Sequence, residues 1–138
     1  MDKRYDVFGI GNAIVDTEIQ VGDLLLATHG LKKGIMTLVS AEEQEALLEG
    51  LSSYQQHGAA GGSAANTMVG LAQYGGRAFF SGKVGNDMSG VLYRKSMAEV
   101  GVEFEVEPSD TAPTGTCLIL VTPDGERTMQ TALGAAAN

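Results

Sequence analysis

The sequence predicts an α/β fold in which a parallel layer is joined to a separate, one-faced antiparallel sheet. Three observations predict it. Between about residues 40 and 101, short apolar runs alternate with helical segments, the pattern of strands linked by crossover helices. Around 13–39 and 102–133, apolar residues recur at every second position, the period of strands with one packed and one wet face. Glycine supplies 19 of the 138 residues, about twice the average usage of roughly 7%. These glycines sit singly or in pairs between periodic segments, where positive φ or close backbone approach is needed.

The elements follow in order. Tyr5 to Gly11 reads as a short buried strand that Gly11-Asn12 ends. From Ala13 to Val21 the residues Val15, Thr17, Ile19 and Val21 alternate with Ile14, Asp16, Glu18 and Gln20, so one face is half-exposed. Asp23 is placed to cap a short helix that Gly30 stops, and Ile35 to Val39 is a further strand. Ser40-Ala-Glu-Glu43 is a capping box for a helix reaching about Ser52. Gly61-Gly62 opens a helix of small residues from Ser63 to about Tyr74, closed by Gly75-Gly76. Arg77 to Val84 is a strand with Phe79 and Phe80 as core candidates, and Asp87 begins a helix that Gly101 ends. Val102, Phe104 and Val106 alternate with Glu103, Glu105 and Glu107, a packed face against a solvated one. Thr114 to Thr122 and Glu126 to Leu133 pair through Pro123-Asp124-Gly125, whose Asp-Gly suits a type I′ turn.

Composition excludes several function classes. With 43% hydrophobic and 19% charged residues the chain can bury an ordinary core and is not a disordered tail. No run approaches the ~18 apolar residues of a membrane span. Nine Lys and Arg against 17 Asp and Glu leave a formal charge of −8. That argues against nucleic acid and against an anionic membrane surface, both of which require basic patches. The start MDKRYDVFGIG lacks a signal peptide's apolar region, so the expected location is cytoplasmic. The single Cys117 forms no internal disulfide, no Cys/His cluster has zinc spacing, and His29 and His57 carry no motif.

Two features point to chemistry. In Gly61-Gly62-Ser63-Ala64-Ala65-Asn66, bare backbone leads into a helix start whose free N–H groups face the loop. Asn66, one turn in, offers a donor and an acceptor, although a tight strand–helix turn explains the same spacing. Asp16 sits on the polar face of the strand after the Gly9-Ile-Gly11-Asn12 turn, where its carboxylate could accept two vicinal hydroxyls or simply be solvated like Glu18. Arg127, after the hairpin turn, suits either a mobile phosphate contact or a surface cross-strand pair. Two phosphate motifs fail: Ile14 stands where a dinucleotide fingerprint needs Gly, and Gly82-Lys83-Val84 lacks P-loop spacing.

Taken together, Gly9-Ile-Gly11-Asn12-Ala-Ile-Val-Asp16, Gly61-Gly62-Ser-Ala-Ala-Asn66, Gly75 and Gly85 resemble the first signature of the ribokinase family of carbohydrate and nucleoside kinases. The Thr122-Pro-Asp-Gly-Glu-Arg127-Thr hairpin is similar to the adenosine kinase-like branch, and Met68 departs from the small residue usual there. The resemblance implies a ribokinase-like fold, an α/β sandwich with a small β-sheet lid. The α/β part then takes about 1–12 and 40–101, and the lid about 13–39 and 102–134. It implies that Asp16 and Asn66 hold sugar hydroxyls, that Asn12, Gly61 and Gly62 line the same pocket, and that Arg127 reaches the transferred phosphate. ATP and Mg are the implied cofactors. The family's Gly-Ala-Gly-Asp run and Asn-x-x-Glu motif do not occur here. The catalytic base and most of the nucleotide site are therefore expected beyond Asn138, and residues 1–138 alone are expected to be inactive. The open-ended Leu133-Gly-Ala-Ala-Ala-Asn138 fits that reading. The expected activity is ATP-dependent phosphorylation of a primary hydroxyl, on adenosine or a related ribosyl compound, with a homodimer through the lid strands as an expected assembly. The competing expectation is a non-catalytic binding or assembly module, or one half of a split enzyme.

Overall fold

The computed structural model describes residues 3–138. Along the chain the elements are β1 (Val7–Ile10), β2 (Ile14–Gln20), α1 (Asp23–Thr28), β3 (Met36–Leu38), α2 (Ala41–Gly50), β4 (Gln56–Gly61), α3 (Ser63–Gln73), β5 (Ala78–Ser81), α4 (Met88–Glu99), β6 (Val102–Glu103), β7 (Gly115–Val121) and β8 (Arg127–Ala132), followed by a 3-10 turn at Gly134–Ala137. They form two compact units: Met1–Val15, Ala60–Gly115 and Leu133–Asn138 in the first, Asp16–Ala59 and Thr116–Ala132 in the second. No helix among the described residues is long and apolar enough to cross a membrane.

The first unit is built on a parallel sheet in the order β1-β5-β6. Val7 lies opposite Ala78, and Ala78 opposite Val102. Crossover helices α3 and α4 supply Ala65, Met68, Tyr93 and Met97 to a core closed by Phe80 and Phe104. The Phe104 ring lies 5.7 Å from Phe80 and 5.5 Å from Tyr93, centroid to centroid, within the range of favourable aromatic pairs. Helix α3 is made of small residues because it approaches the β1 turn closely: a Cβ at Gly11 would stand 2.6 Å from the Ala64 Cβ.

Residues 102–107 differ from the sequence expectation. Val102 and Phe104 are buried as the alternation predicts, but only Val102–Glu103 forms a strand, and it pairs parallel with β5. Gly101, at φ +80°, turns the chain straight out of α4 and back beside β5, completing a crossover unit. Alternation reveals which face is buried; it does not name the neighbouring strand.

The second unit carries a five-stranded sheet in the order β3-β8-β7-β2-β4. Its packed face is apolar: Ile19, Val21, Leu118 and Leu120 close on Leu26 of α1 and on Leu51 after α2. The capping box forms as expected, with the Glu43 N–H donating to Ser40 Oγ at 3.1 Å and the Ser40 N–H to Glu43 Oε2 at 2.8 Å. Gln44, buried on this face, donates to the Gln130 carbonyl at 2.7 Å and so ties α2 to β8.

Three expectations are corrected in this unit, and one strand is added that the sequence did not signal. The sheet is mixed, not antiparallel: β7 and β8 form an antiparallel hairpin, but β3 runs parallel to β8, Met36 opposite Met129. Asp23 does not cap α1; Gly22 does, and Asp23 pairs instead with Lys33 at 2.6 Å. Strand β4 was invisible in Gln-His-Gly-Ala-Ala-Gly, where small residues leave no period to read. The hairpin is not type I′, because the Pro123 ring fixes φ near −65° and no non-glycine described residue has positive φ. Instead Gly125 takes φ +82°, its N–H donates to the Thr122 carbonyl at 2.8 Å, and Thr122 N–H donates to the Glu126 carbonyl at 3.0 Å. That is a three-residue loop with glycine in the left-handed position. The compact units also divide the chain otherwise than the expected parts: α2 falls in the second unit and Val102–Gly115 in the first.

Asp87 caps α4 as the sequence predicts, and it does more. Its Oδ1 accepts from Gly90 N–H at 2.8 Å and from the Thr114 hydroxyl at 2.6 Å, and its Oδ2 from Thr114 N–H at 2.8 Å. Partial burial pushes this carboxyl up, but the Thr114 and Gly90 hydrogen bonds outweigh it and hold it below its ordinary value of 3.8. Asp87→Ala should therefore lower stability by about 1–2 kcal/mol in urea denaturation. The folded value is the depressed one. The carboxylate's contribution is thus complete above 3.8 and fades as pH falls through the lower folded value. The stability gap between wild type and Asp87→Asn should shrink in that acid range and not at neutral pH.

Candidate functional site

In the first unit, β1 and α3 bring the Gly11-Asn12 turn against the start of a helix. Gly62 is the residue before α3, at φ +100°, with no side-chain cap, and its carbonyl accepts the Asn66 N–H at 2.9 Å. A Cβ at Gly62 would overlap the Asn12 carbonyl oxygen. Gly61 ends β4 buried, its carbonyl accepting the Tyr93 hydroxyl at 2.9 Å. Asn12 and Asn66 are both exposed. The glycine pair is thus required first by backbone packing: glycine at 62 satisfies a left-handed φ and a contact that leaves no room for a side chain. A cleft of about 260 Å³ in this unit is lined by Gly11, Asn12, Gly82 and Lys83 among others.

In the second unit, the sheet face opposite the Leu118–Leu120 core carries the polar chemistry. Register puts Cys117 opposite Thr131 and Val121 opposite Arg127, all on that face. A cleft of about 300 Å³ there is lined by Asp16 and Glu18 of β2, His57 to Ala59 of β4, Ile119 of β7 and Arg127 of β8. Asp16 and Arg127, far apart in sequence, therefore line one cleft. Burial pushes the Asp16 carboxyl above its ordinary value of 3.8, and the Arg127 charge offsets part of that rise. Burial likewise pushes the Cys117 thiol up, against a hydrogen bond from Thr131 Oγ1 at 3.3 Å.

Sequence reasoning missed Glu18, His57 and Ile119 as lining residues. Glu18 was legible through its two-residue spacing from Asp16 on one strand face. His57 was not, because β4 itself gave no signal. Among the described residues no group of three or more His, Cys, Asp and Glu is placed to hold a metal ion.

The chain matches the model of the pfkB family of carbohydrate kinases over residues 30–138, and it belongs to that family. Adenosine kinase of Schizosaccharomyces pombe is 30% identical over 140 residues, covering 99% of this chain and 40% of that protein. The crystal structure of adenosine kinase from Sinorhizobium meliloti superposes with a TM-score of 0.88 at 42% identity, covering 99% of this chain and 41% of that one. A probable sugar kinase from Rhizobium etli gives 0.86 at 38% identity, covering 96% and 40%. The mixed α/β architecture is thus that of the ribokinase-like fold, and the similarity reaches its adenosine kinase-like members. The chain spans about 40% of the length of the curated relatives it matches.

Gly62→Ala should lower stability by about 1–3 kcal/mol, because both the φ and the Asn12 carbonyl oppose a Cβ. The shift in the urea midpoint measures it. An Ala variant as stable as wild type would show that glycine is kept there for a reason other than packing.

Proposed function

We propose that this chain supplies the acceptor-binding part of an ATP-dependent kinase acting on a primary hydroxyl of a nucleoside, adenosine or a related ribosyl compound. The observation that carries the reading is the shared cleft of Asp16 and Arg127 on the second unit's sheet. An ionised Asp16 accepts two vicinal hydroxyls and orients the sugar. Arg127 places positive charge where a transferring phosphoryl group gathers negative charge. Family membership and the adenosine kinase relatives support the reaction class. Asn12, Gly61, Gly62 and Asn66 enter the proposal on the strength of their motif alone.

In such a reaction the hydroxyl oxygen forms a bond to the γ-phosphorus, the bond to the leaving diphosphate oxygen breaks, and the hydroxyl proton passes to a base. ATP with its Mg supplies the phosphoryl group and part of the charge neutralisation. The base belongs to the Gly-Ala-Gly-Asp run that the family resemblance expects and that residues 1–138 do not contain. This chain's own share is positioning the acceptor and holding charge at the phosphate.

Asp16→Asn should cut kcat/KM for the nucleoside by about a hundredfold or more, since each charge-assisted bond contributes roughly 1.5–3 kcal/mol. ATP affinity and folding should be unchanged; near-normal kcat/KM would sink the assignment. Because burial raises the free Asp16 carboxyl, nucleoside affinity should begin to fall at a pH above 3.8 as acid neutralises it. Calorimetric titrations from neutral pH downward check this, with Asp16→Asn losing the same dependence. Residues 1–138 expressed alone should show no turnover in an ATP-consumption assay with nucleosides and sugars. Turnover there would overturn the division of labour.

A further inference from the structure

The segment 30–36 grips the β7–β8 hairpin at three points, all within the second unit. Lys33 Nζ stands 2.6 Å from Asp124 Oδ2 at the hairpin tip and 2.6 Å from Asp23 Oδ1 in the first turn of α1. The Gly34 N–H donates to Thr128 Oγ1 at 3.0 Å, and the Met129 N–H donates to the Ile35 carbonyl at 2.9 Å. Gly34 takes φ +80°, and a Cβ there would meet the Glu126 carboxylate carbon at 3.3 Å. Asp124 is the hub of the tip: its Oδ1 accepts from the Thr122 hydroxyl at 2.7 Å and from the Glu126 N–H at 3.3 Å, while its Oδ2 faces Lys33. Thr128 is fully buried. Arg127 emerges between these fixed points, with its own side chain exposed.

Exposed ion pairs add little to global stability. Lys33, however, joins two carboxylates on separate elements. Its effect falls on the direction of the hairpin tip. We propose that Lys33 is a positioning residue: by clasping Asp124 to Asp23 it aims the hairpin so that the Arg127 guanidinium meets the transferred phosphate. This rests on the reading of Arg127 given above. A displacement of about 1 Å at a positioned group can cost on the order of a hundredfold in rate.

The test compares Lys33→Met, Lys33→Arg, Arg127→Met and the double variant Lys33→Met/Arg127→Met in the active protein. Lys33→Met should lower kcat about tenfold with the nucleoside KM changed less than about twofold. Lys33→Arg, which keeps both ion pairs, should recover most of the loss. In the Arg127→Met background, Lys33→Met should add less than about a twofold effect, because its partner in function is already gone. Hydrogen exchange at Thr122–Arg127 should quicken about three- to tenfold in Lys33→Met, the scale of two exposed pairs, while α3 and β5 stay unchanged. A normal kcat in Lys33→Met beside a crippled Arg127→Met overturns the positioning role and leaves the reading of Arg127 standing. Equal kcat in wild type and Arg127→Met overturns that reading and this proposal with it. Fully multiplicative losses in the double variant, or exchange quickened throughout the chain, also overturn it. Should Lys33→Met fail to fold, Asp23→Asn loosens the same clasp at an exposed site, and an unchanged kcat there counts against the proposal.

Discussion

The close approach of Gly62 to the Asn12 carbonyl is the contact on which the first unit depends. It occurs where β4 ends, α3 begins and the β1 turn passes, so one missing side chain lets three segments share a corner. Ala64 against Gly11 repeats the arrangement two residues further along. Helix α3 can then lie low on the sheet, and Ala65 and Met68 reach the aromatic cluster of Phe80, Tyr93 and Phe104. Tyr93 returns the constraint through its hydroxyl, which holds the Gly61 carbonyl. Backbone packing and core packing thus reinforce each other, and a substitution at the corner is felt at both.

A second corner follows the same logic. Gly85 and Gly90 leave no room for a Cβ beside Thr114 and Asp87, and Asp87 joins the α4 start to the segment entering β7 through both of its oxygens. A carboxylate takes this place because it can accept from three donors while half-buried, which an amide or hydroxyl cannot do. The second unit uses side-chain polarity differently. Its sheet keeps one face for leucine packing and leaves the other to Asp16, Glu18, His57, Cys117 and Arg127. There burial and opposite charge act against each other on Asp16.

Much of this was legible in the chain itself. Ser40 with Glu43, Asp87, and the glycines at 75 and 101 mark helix ends because caps are built from residues three or four apart, so spacing alone carries them. Asp16 and Arg127 stood out by residue type and place. Strand β4 did not, since glycine and alanine leave no alternation, and with it His57 escaped notice. Asp23 misled because a capping residue and a first-turn acid look alike in sequence; the extended backbone at Gly22, one residue earlier, distinguishes them.

By itself the sequence determined the local periods, most helix ends, the places where glycine interrupts the periodic segments, and the family to which the chain belongs. Tertiary structure decided which strands are neighbours. It set β6 parallel to β5, turned β3 parallel to β8, and brought Glu18 and His57 to the cleft of Asp16 and Arg127. The reason is physical. A cap or turn is closed by groups a few residues apart, whose energies the spacing encodes. A strand pairing depends on partners separated by tens of residues, and the alternation of a strand is the same whichever partner it meets.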